Sequence, residues 1–308
     1  MTTNKNLSTH SGLVTAYFGN TLTVEMPNGE LVNCHLHRNQ TLPVVGDYVE
    51  WQMEKSNMGS VVSILPRKSL LTRGDARGKV KPLAANVDLI IIVMAPPPVM
   101  SNYLIDRYLV AAELSTISPI LVINKSDLIT AANSEETQHI LSIYTKIPYP
   151  VLQTSIFDPV SLEALNALLQ NKTGVLVGPS GVGKSSLISV LSGSEAIRVG
   201  AVSAKGVGKH TTTGTRLYHL DGGGHLIDSP GVREFNLWTL TKQDVLLGYK
   251  EFVPFLSQCK FRDCQHIAEP HCGVQKAVQD GNISAERYAQ YQELFREVAA
   301  KIQTQYKK

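Results

Sequence analysis

The chain has 308 residues and a formal net charge of +3, and 43% of its residues are hydrophobic. This length suits two or three domains, and this hydrophobic share excludes a chain that is disordered by composition. The longest apolar run, residues 89–95, is far too short to span a bilayer, and residues 1–6 lead into no hydrophobic signal segment. We therefore expect a cytoplasmic, monomeric protein that has no membrane partner and whose cysteines are reduced.

Short strand-like segments fill residues 11 to about 66. One of them, residues 22–26, alternates apolar and polar side chains and ends at Asn28-Gly29, a dipeptide typical of hairpin turns. Five such segments in this length predict a small β-barrel such as the OB-fold, which often binds RNA, and we place this domain at residues 1–70. A fragment of a generic β-sandwich is the alternative.

Basic residues cluster after the predicted barrel. Lysines and arginines dominate residues 67–81, where Asp75 is the one acid and glycines favour a flexible linker. A run of positive charge is usually a solvated surface. Because this run would join an RNA-binding barrel to the next domain, we interpret it as a contact with the phosphate backbone of RNA.

Strand and helix patterns alternate from residue 86 onward. Residues 89–94 resemble a buried parallel strand, and residues 102–114 have helical periodicity. Such alternation predicts a doubly wound parallel sheet in a central α/β domain, which we place at residues 71–240. Ligands bind at the carboxyl ends of the strands in these sheets, so the polar residues that follow the strands form the candidate site.

The predicted strand at residues 120–123 is followed by four polar residues: Asn124, Lys125, Ser126 and Asp127. They resemble the N-K-x-D motif of GTPases, in which the aspartate accepts hydrogen bonds from N1 and N2 of guanine. Adenine has no donors at these positions, so Asp127 would select guanine. Ser155, in the Thr154-Ser155 pair after the next strand, would be a second contact with the base. Alone, the N-K-x-D-like stretch, like the D-x-x-G-like stretch at residues 228–231, is a weak signal that could be a polar turn after a strand.

A glycine-rich loop joins the strand at residues 173–177 to a predicted helix and fits the phosphate-loop pattern G-x-x-x-x-G-K-[ST]. Its N–H groups would surround phosphate oxygens, Lys184 would reach the β- and γ-phosphates, and the Ser185 hydroxyl would bind Mg²⁺. A plain glycine-rich turn is the alternative, although the flanking strand and helix favour the motif. The predicted phosphate-binding residues are Gly178, Pro179, Ser180, Gly181, Val182, Gly183, Lys184, Ser185 and Ser186.

Two later stretches complete the predicted site. Residues 203–214 are polar and rich in glycine and threonine, as in a switch I loop that supplies a threonine to Mg²⁺ and the γ-phosphate, although an ordinary flexible loop is the alternative. Three neighbouring threonines could supply this ligand: Thr211, Thr212 and Thr213. The sequence does not distinguish between them, and we take Thr212 as the working candidate. Residues 228–231 resemble the D-x-x-G motif, in which Asp228 would hold Mg²⁺ through water and the Gly231 N–H would sense the γ-phosphate.

The order of these motifs is unusual. Ordinary GTPases run from the phosphate loop through the switch threonine and D-x-x-G to N-K-x-D, whereas here the guanine motif comes first. A circular permutation reconnects the termini of a domain and leaves its sheet unchanged. We therefore predict a circularly permuted phosphate-loop GTPase.

Three cysteines and a histidine lie close together after residue 241: Cys259, Cys264, His266 and Cys272. They are ligands suited to tetrahedral Zn²⁺, and a closed set of four implies a structural site. His271 is an alternative to His266, and three unlinked buried thiols are the other alternative. Because residues 284–306 also have the pattern of an amphipathic helix, we predict an α-helical zinc-binding domain at residues 241–308.

The barrel, the permuted motifs and the cysteine-histidine cluster together resemble the ribosome small-subunit-dependent GTPase A family, over about residues 11 to 300. The resemblance implies GTP hydrolysis that is stimulated by the 30S ribosomal subunit and assists its late maturation, with 16S rRNA as a partner. It also implies that Asn124, Lys125 and Asp127 bind the guanine of GTP or GDP, that residues 178–186 hold the phosphates together with Mg²⁺, and that the cluster binds one Zn²⁺ per chain.

Two other functions stay open on the sequence alone. The first is a GTP-gated RNA-binding module in which hydrolysis is incidental. The second is a phosphate-loop kinase or ATPase with an unrelated zinc element, against which Asp127 argues.

The position directly after D-x-x-G, where many GTPases have a water-orienting glutamine, is Val232. A valine side chain has no hydrogen-bonding group, so another residue must position the attacking water. His210, beside the switch threonines, is the nearest candidate in the sequence. A surface histidine in a mobile loop is the alternative.

Overall fold

The structure is a computed structural model that describes residues 8–18, 21–36, 41–54, 58–74, 80–98, 100–193, 214–228 and 240–305. Among these residues, no helix has both the length and the apolar character that a membrane span requires.

A closed five-stranded barrel forms the N-terminal part. Its strands are β1 (Thr9–Phe18), β2 (Thr21–Glu25), β3 (Leu31–His35), β4 (Tyr48–Met53) and β5 (Gly59–Ile64). They pair in the order β1-β2-β3-β5-β4, and β4 pairs with β1 again to close the barrel. Alternate residues of β2 are buried, as period-2 patterning requires. The predicted OB-like barrel is confirmed, and the open sandwich fragment is excluded by the closure.

A separate β-hairpin occupies the stretch after the barrel, where the sequence predicts a flexible linker. Its strands, β6 (Leu70–Gly74) and β7 (Val80–Ala85), pair antiparallel. Leu71, Leu83 and Ala84 are buried in the same core as the barrel. The linker prediction is therefore wrong for these two strands, because apolar residues spaced between the charges anchor them.

Arg67, the first basic residue of that stretch, has a structural role. Its Nε and Nη2 atoms donate to the two carboxylate oxygens of Asp47, each at 2.7 Å. The Asp47 side chain is fully buried and also accepts from the Val44 N–H at 2.8 Å. This bidentate ion pair stabilises the barrel, so the Arg67 guanidinium is not a free group for binding RNA phosphates.

The central domain is a parallel sheet with helices on both faces. Its parallel strands are β8 (Leu89–Met94), β9 (Ser118–Asn124), β10 (Val151–Thr154), β11 (Thr173–Val177) and β13 (His225–Asp228), and they lie side by side as β10-β9-β8-β11-β13. Every residue of β8 is buried, because side chains from both faces of this strand are covered. The predicted doubly wound α/β architecture is confirmed.

The helices of this domain pack in two layers. Helices α1 (Asn102–Leu114) and α2 (Ser134–Tyr144) cover one face of the sheet, while α3 (Pro159–Leu169) and α4 (Lys184–Leu191) cover the other. Ile90 and Ile92 of β8 point into the first layer, and Ile91 and Val93 point into the second. Because the strands run parallel, the strand ends that carry the predicted motifs lie at one edge of the sheet.

One antiparallel strand, β12 (Thr215–His219), joins the barrel to the central sheet. It pairs with β13 on one side and with β1 of the barrel on the other, where Ala16 faces Arg216 and Tyr17 faces Thr215. A second contact connects the barrel to this strand: the carboxylate of Glu25, at the end of β2, lies 2.7 Å from His219 Nε2 of β12. The barrel and the central domain therefore share one continuous sheet.

Helices make up the C-terminal part, as predicted. They are α5 (Lys242–Leu247), α6 (Val253–Leu256), α7 (Gly273–Gln279) and α8 (Ala285–Gln305). A capping box between Thr241 and Asp244 starts α5. Aromatic side chains, among them Tyr249, Phe252 and Tyr291, form the core of this part and pack against Val110 of α1.

Candidate nucleotide-binding site and metal centre

The phosphate loop connects β11 to α4, in the predicted context. Gly178 and Gly183 have φ angles of 138° and 93°, which residues with a Cβ rarely adopt. A Cβ on Gly178 would lie 2.2 Å from the carbonyl oxygen of Val93, and one on Gly183 would lie 2.3 Å from Asn124 Nδ2. Glycine is therefore required at both positions, where the loop packs against the ends of β8 and β9.

Lys184 is the first residue of α4, and its ammonium group lies against the loop. Its Nζ donates to the carbonyl oxygens of Gly178 at 2.8 Å and Pro179 at 2.6 Å. Ser185 and Ser186 follow in the first turn of the helix and are exposed. The hydroxyl of Ser185 is thus accessible to a cation, while the positive end of the helix and Lys184 favour an anion at the loop.

The predicted guanine motif contacts the phosphate loop directly, although it lies far earlier in the chain. Asn124 is buried, and its Nδ2 donates to the Val182 carbonyl oxygen at 2.9 Å. Lys125 Nζ donates to the Gly181 carbonyl oxygen at 2.7 Å. Lys125 has a φ of 61°, which turns the chain from β9 into a short 3₁₀ helix, Ser126–Leu128. The structure therefore brings together two motifs whose order in the sequence is permuted.

Asp127 is exposed within this short helix, and Ser155 holds its carboxylate. The Ser155 hydroxyl donates to Asp127 Oδ1 at 2.5 Å. Ser155 is buried at the end of β10, and the neighbouring Thr154 hydroxyl donates to Asn124 Oδ1 at 3.2 Å. The second predicted base contact is thus adjacent to the first. The arrangement leaves the carboxylate accessible as an acceptor while its orientation is restricted.

Ser161 is a residue of this site that the sequence analysis misses. Its Oγ accepts from the Ser155 N–H at 2.9 Å and donates to the Asp158 carbonyl oxygen at 2.6 Å. Asp158 caps α3 and is followed by Pro159. That helix-start signal in the sequence would place Ser161 in the first turn, facing the loop that contains Ser155.

Asp228 ends β13, next to β11 and at the same edge of the sheet as the phosphate loop. On its other side it pairs in register with Arg216 of β12. The remaining predicted residues lie outside the described part of the chain: Gly231, Val232, His210, Thr211, Thr212 and Thr213.

The predicted metal ligands converge in the C-terminal part. The ligand atoms of Cys259, Cys264, His266 and Cys272 all lie within 4.8 Å of one another. His266 contributes Nδ1, which lies 3.5 Å from Cys259 Sγ and 3.3 Å from Cys272 Sγ. His271 is exposed and outside this group, so His266 completes the set and His271 does not.

The surroundings of this cluster fit a cation bound by thiolates. Backbone N–H groups point at two sulfurs, from Gly273 to Cys259 Sγ at 3.3 Å and from Gln275 to Cys272 Sγ at 3.4 Å. Burial raises the pKa of the Cys264 thiol to about 12, so a bound cation is needed to stabilise its thiolate. Three sulfurs and one imidazole nitrogen are the donor set that tetrahedral Zn²⁺ prefers.

Comparison with known proteins agrees with this architecture. Residues 64–238 match the protein family described as RsgA GTPase. The small ribosomal subunit biogenesis GTPase RsgA of Pseudomonas aeruginosa is 45% identical over 285 residues, which cover 92% of this chain and 84% of the relative. The protein of the same name from Azotobacter vinelandii is 46% identical over 289 residues, with the same two shares covered.

Two solved structures have the same fold over nearly the whole chain. The crystal structure of YjeQ from Thermotoga maritima has a TM-score of 0.75 and 32% identity, and the match covers 95% of this chain and 99% of that one. YloQ, described as a circularly permuted GTPase, has a TM-score of 0.74 and 29% identity, with 98% and 99% covered. The permuted order inferred from the motifs is therefore shared with a solved structure.

Proposed function

The chain belongs to the RsgA GTPase family, and we propose that it hydrolyses GTP on the small ribosomal subunit and thereby assists the biogenesis of that subunit. Its relatives from Pseudomonas and Azotobacter are named small ribosomal subunit biogenesis GTPases. The observation that carries the proposal is the contact of Asn124 and Lys125 with the phosphate loop. Those bonds support the proposal because they join the predicted guanine motif to the predicted phosphate-binding loop.

For base recognition we propose Asp127 as the acceptor of the N1 and N2 protons of guanine. One oxygen of the Asp127 carboxylate accepts a hydrogen bond from the Ser155 hydroxyl. The carboxylate is exposed and has further lone pairs that can accept hydrogen bonds from the base. Asn124 and Lys125 position this segment on the phosphate loop, and Ser126 lies between them and Asp127. An aspartate acceptor selects guanine because adenine has no matching donors.

For the phosphates we propose the loop N–H groups, Lys184 and the start of α4. When bound, Mg²⁺ would neutralise the negative charge that develops on the phosphates during transfer. Ser185, Asp228 and a switch threonine, Thr212 or one of its neighbours, are the proposed magnesium residues, and the Gly231 N–H is the proposed γ-phosphate sensor. His210 is the proposed residue that orients the attacking water, since Val232 cannot do so.

We further propose that Cys259, Cys264, His266 and Cys272 hold one structural Zn²⁺ per chain. The four ligands form a closed set, which leaves no open position for catalysis. Binding would contribute directly to the folding of the C-terminal part, because the unfolded chain has no preformed site.

The proposed macromolecular partner is the 30S subunit, contacted through its 16S rRNA. The supporting features are the OB-like barrel and the exposed basic residues Lys68 and Lys81 beside it. We propose a cytoplasmic monomer with three functional units: an RNA-binding barrel (residues 1–70), the GTPase (71–240) and the zinc-binding helices (241–308).

GTP turnover with and without purified 30S subunits tests this function. We expect slow GTP hydrolysis by the protein alone and clear stimulation by 30S subunits. The Lys184→Ala variant should lose both the basal and the stimulated hydrolysis. Stimulation should require GTP, and ATP should neither be hydrolysed nor compete. Tight, GTP-dependent binding to 30S subunits without stimulated turnover would instead favour the GTP-gated RNA-binding module.

A further inference from the structure

We propose that Phe157 stacks on the guanine base and forms one wall of the nucleotide pocket. This inference rests on the proposed function, because it adds a residue to the same guanine site. Phe157 is 80% exposed, more than any other large hydrophobic residue that the structure describes. A single exposed hydrophobic side chain is common on a protein surface and does not by itself indicate a partner. The position of Phe157 beside Asp127 is the feature that points to a bound base.

Two hydrogen bonds connect Phe157 to the predicted guanine acceptor. The Phe157 N–H donates to Ser155 Oγ at 3.2 Å, and the same Oγ donates to Asp127 Oδ1 at 2.5 Å. A single side-chain oxygen therefore links the backbone of Phe157 to the carboxylate of Asp127. These bonds place the backbone of Phe157 next to Asp127, the proposed acceptor for the base.

The loop that carries Phe157 is tightly structured. The Asp158 N–H donates to the Ser155 carbonyl oxygen at 3.1 Å, which closes a turn with Phe157 near its tip. Ser161 fixes the base of this turn from α3 through the Ser155 N–H. The aromatic residue is thus presented by a rigid turn, so little conformational entropy would be lost when a base stacks on it.

The topology places Phe157 opposite the phosphate loop. The strands lie in the order β10-β9-β8-β11, so the segment after β9, with Asp127, lies between the loop after β10 and the phosphate loop after β11. Lys125 is fixed toward the phosphate loop through Gly181. The flank toward β10 is where Phe157 lies. A base bound to Asp127 would therefore have an aromatic side chain available on that flank.

The residue type also fits this role. Every base has a π-face, and an aromatic side chain stacks on it without depending on the pattern of exocyclic groups. Phe157 would therefore add affinity for the base, whereas Asp127 selects guanine. The same contact exists with GTP and GDP, so it should not discriminate between them.

The experiment compares three variants by isothermal titration with GDP and with a non-hydrolysable GTP analogue. Phe157→Ala should weaken both ligands by about tenfold or more, the usual loss when a stacked aromatic residue is truncated, and by the same factor for each. Phe157→Trp should retain the affinity, and its new indole fluorescence should change on binding. Val160→Ala is the matched control, because Val160 is 70% exposed at the start of α3 and should bind like wild type.

A second measurement separates stacking from base selection. In an Asp127→Asn background, xanthosine diphosphate replaces GDP as the ligand, and Phe157→Ala should cause the same loss there, since stacking does not depend on the hydrogen-bond pattern. The urea midpoint of each variant should match its parent, which confirms that the site is folded. Unchanged nucleotide affinity in Phe157→Ala overturns the proposal.

The failure of this inference is distinguishable from the failure of the proposed function. If wild-type protein binds no guanine nucleotide, the guanine site itself is wrong. If wild type binds and Phe157→Ala binds equally well but loses affinity for 30S subunits, Phe157 belongs to a docking surface, and stacking is excluded while the GTPase assignment stands.

Discussion

Arg287 of α8 and Asp106 of α1 form an ion pair in which both side chains are only 2% exposed. Asp106 also accepts from the Tyr144 hydroxyl at 2.6 Å, and Arg287 Nε donates to the Glu251 carboxylate at 2.7 Å. The guanidinium carbon lies 4.4 Å from the centre of the Tyr249 ring. Burial alone would lower the pKa of Arg287, but the facing carboxylates raise it, so the group stays charged. The pair joins the C-terminal helices to the GTPase domain.

Replacing Arg287 should therefore destabilise the protein severely. Arg287→Met leaves the Asp106 carboxylate buried without its cation, which costs about 3–5 kcal/mol. Urea unfolding measures this loss. The control is Lys276→Ala, which breaks a pair with Asp280 whose side chains are 68% and 47% exposed and should cost less than about 0.5 kcal/mol. Equal effects of the two substitutions would show that the buried pair contributes no more than a surface one.

A pH dependence of stability follows from Glu297 of α8. Burial raises the pKa of its carboxyl group, but hydrogen bonds from Lys301, Tyr103 and Arg107 outweigh burial and lower the pKa to about 2. The folded-state pKa is below the unfolded value, so this stabilisation is present above about pH 4.5 and is lost as the pH falls toward 2.

Glu297→Gln should therefore be less stable than wild type near pH 7, by roughly 1 kcal/mol after allowance for solvent screening. The gap should close as the pH is lowered from 5 toward 2, in urea titrations of both proteins across that range. Asp280→Asn, which removes one carboxylate from the exposed pair with Lys276, is the control for the loss of a surface charge. A gap that is constant with pH would mean that the Glu297 charge does not stabilise the fold.

Base selection should depend on Asp127. Asp127→Asn replaces the proposed carboxylate acceptor of two hydrogen bonds with an amide, so GTP affinity should fall about 100-fold and preference should shift toward xanthosine triphosphate. Competition binding with both nucleotides gives the result. Glu163→Gln, the same loss of charge on the exposed face of α3, should leave both affinities unchanged. Unaltered GTP binding by the Asp127 variant would assign base reading to another residue.

Zinc should be present at one ion per chain in freshly purified protein. Cys264→Ser and His266→Ala should lose it, whereas His271→Ala should retain it, because the His271 side chain lies outside the ligand group. Chelation should loosen residues 241–308 first, which hydrogen exchange would detect. Metal-free protein with a fully protected C-terminal part would exclude a structural zinc.

His210 should matter for hydrolysis and not for binding. His210→Ala should leave GTP affinity nearly unchanged and reduce the 30S-stimulated single-turnover rate roughly 100-fold, the usual contribution of a positioned acid–base group. His139→Ala, at an exposed position of α2, is the control. Full stimulation of the His210 variant would transfer the role to the ribosome or to another switch residue.

The sequence predicts the local elements and motifs well because each depends on residues that are close in the chain. Phosphate-loop spacing, strand alternation and the cysteine-histidine cluster are all of this kind. The role of Arg67 does not follow from a local pattern, since only the fold shows that Arg67 forms an ion pair with Asp47. Spacing allows either His266 or His271 as the fourth ligand, and only the fold shows that the His266 side chain lies with the three cysteines. The Arg287–Asp106 pair joins residues far apart in sequence, so no local pattern indicates it.

The ladder between β1 and β12 connects the barrel to the strand that lies between the segments proposed to hold magnesium. β12 begins at Thr215, close after the candidate switch threonines, and leads through its partner strand to Asp228. If the barrel rotates relative to the central sheet, either the Ala16–Arg216 and Tyr17–Thr215 strand pairs must break or β12 must move with the barrel. The Glu25–His219 contact resists slippage at the far end of the strand. If the small subunit moves the barrel, as the proposed function allows, that movement would be transmitted to β12, the strand between the two segments proposed to hold magnesium.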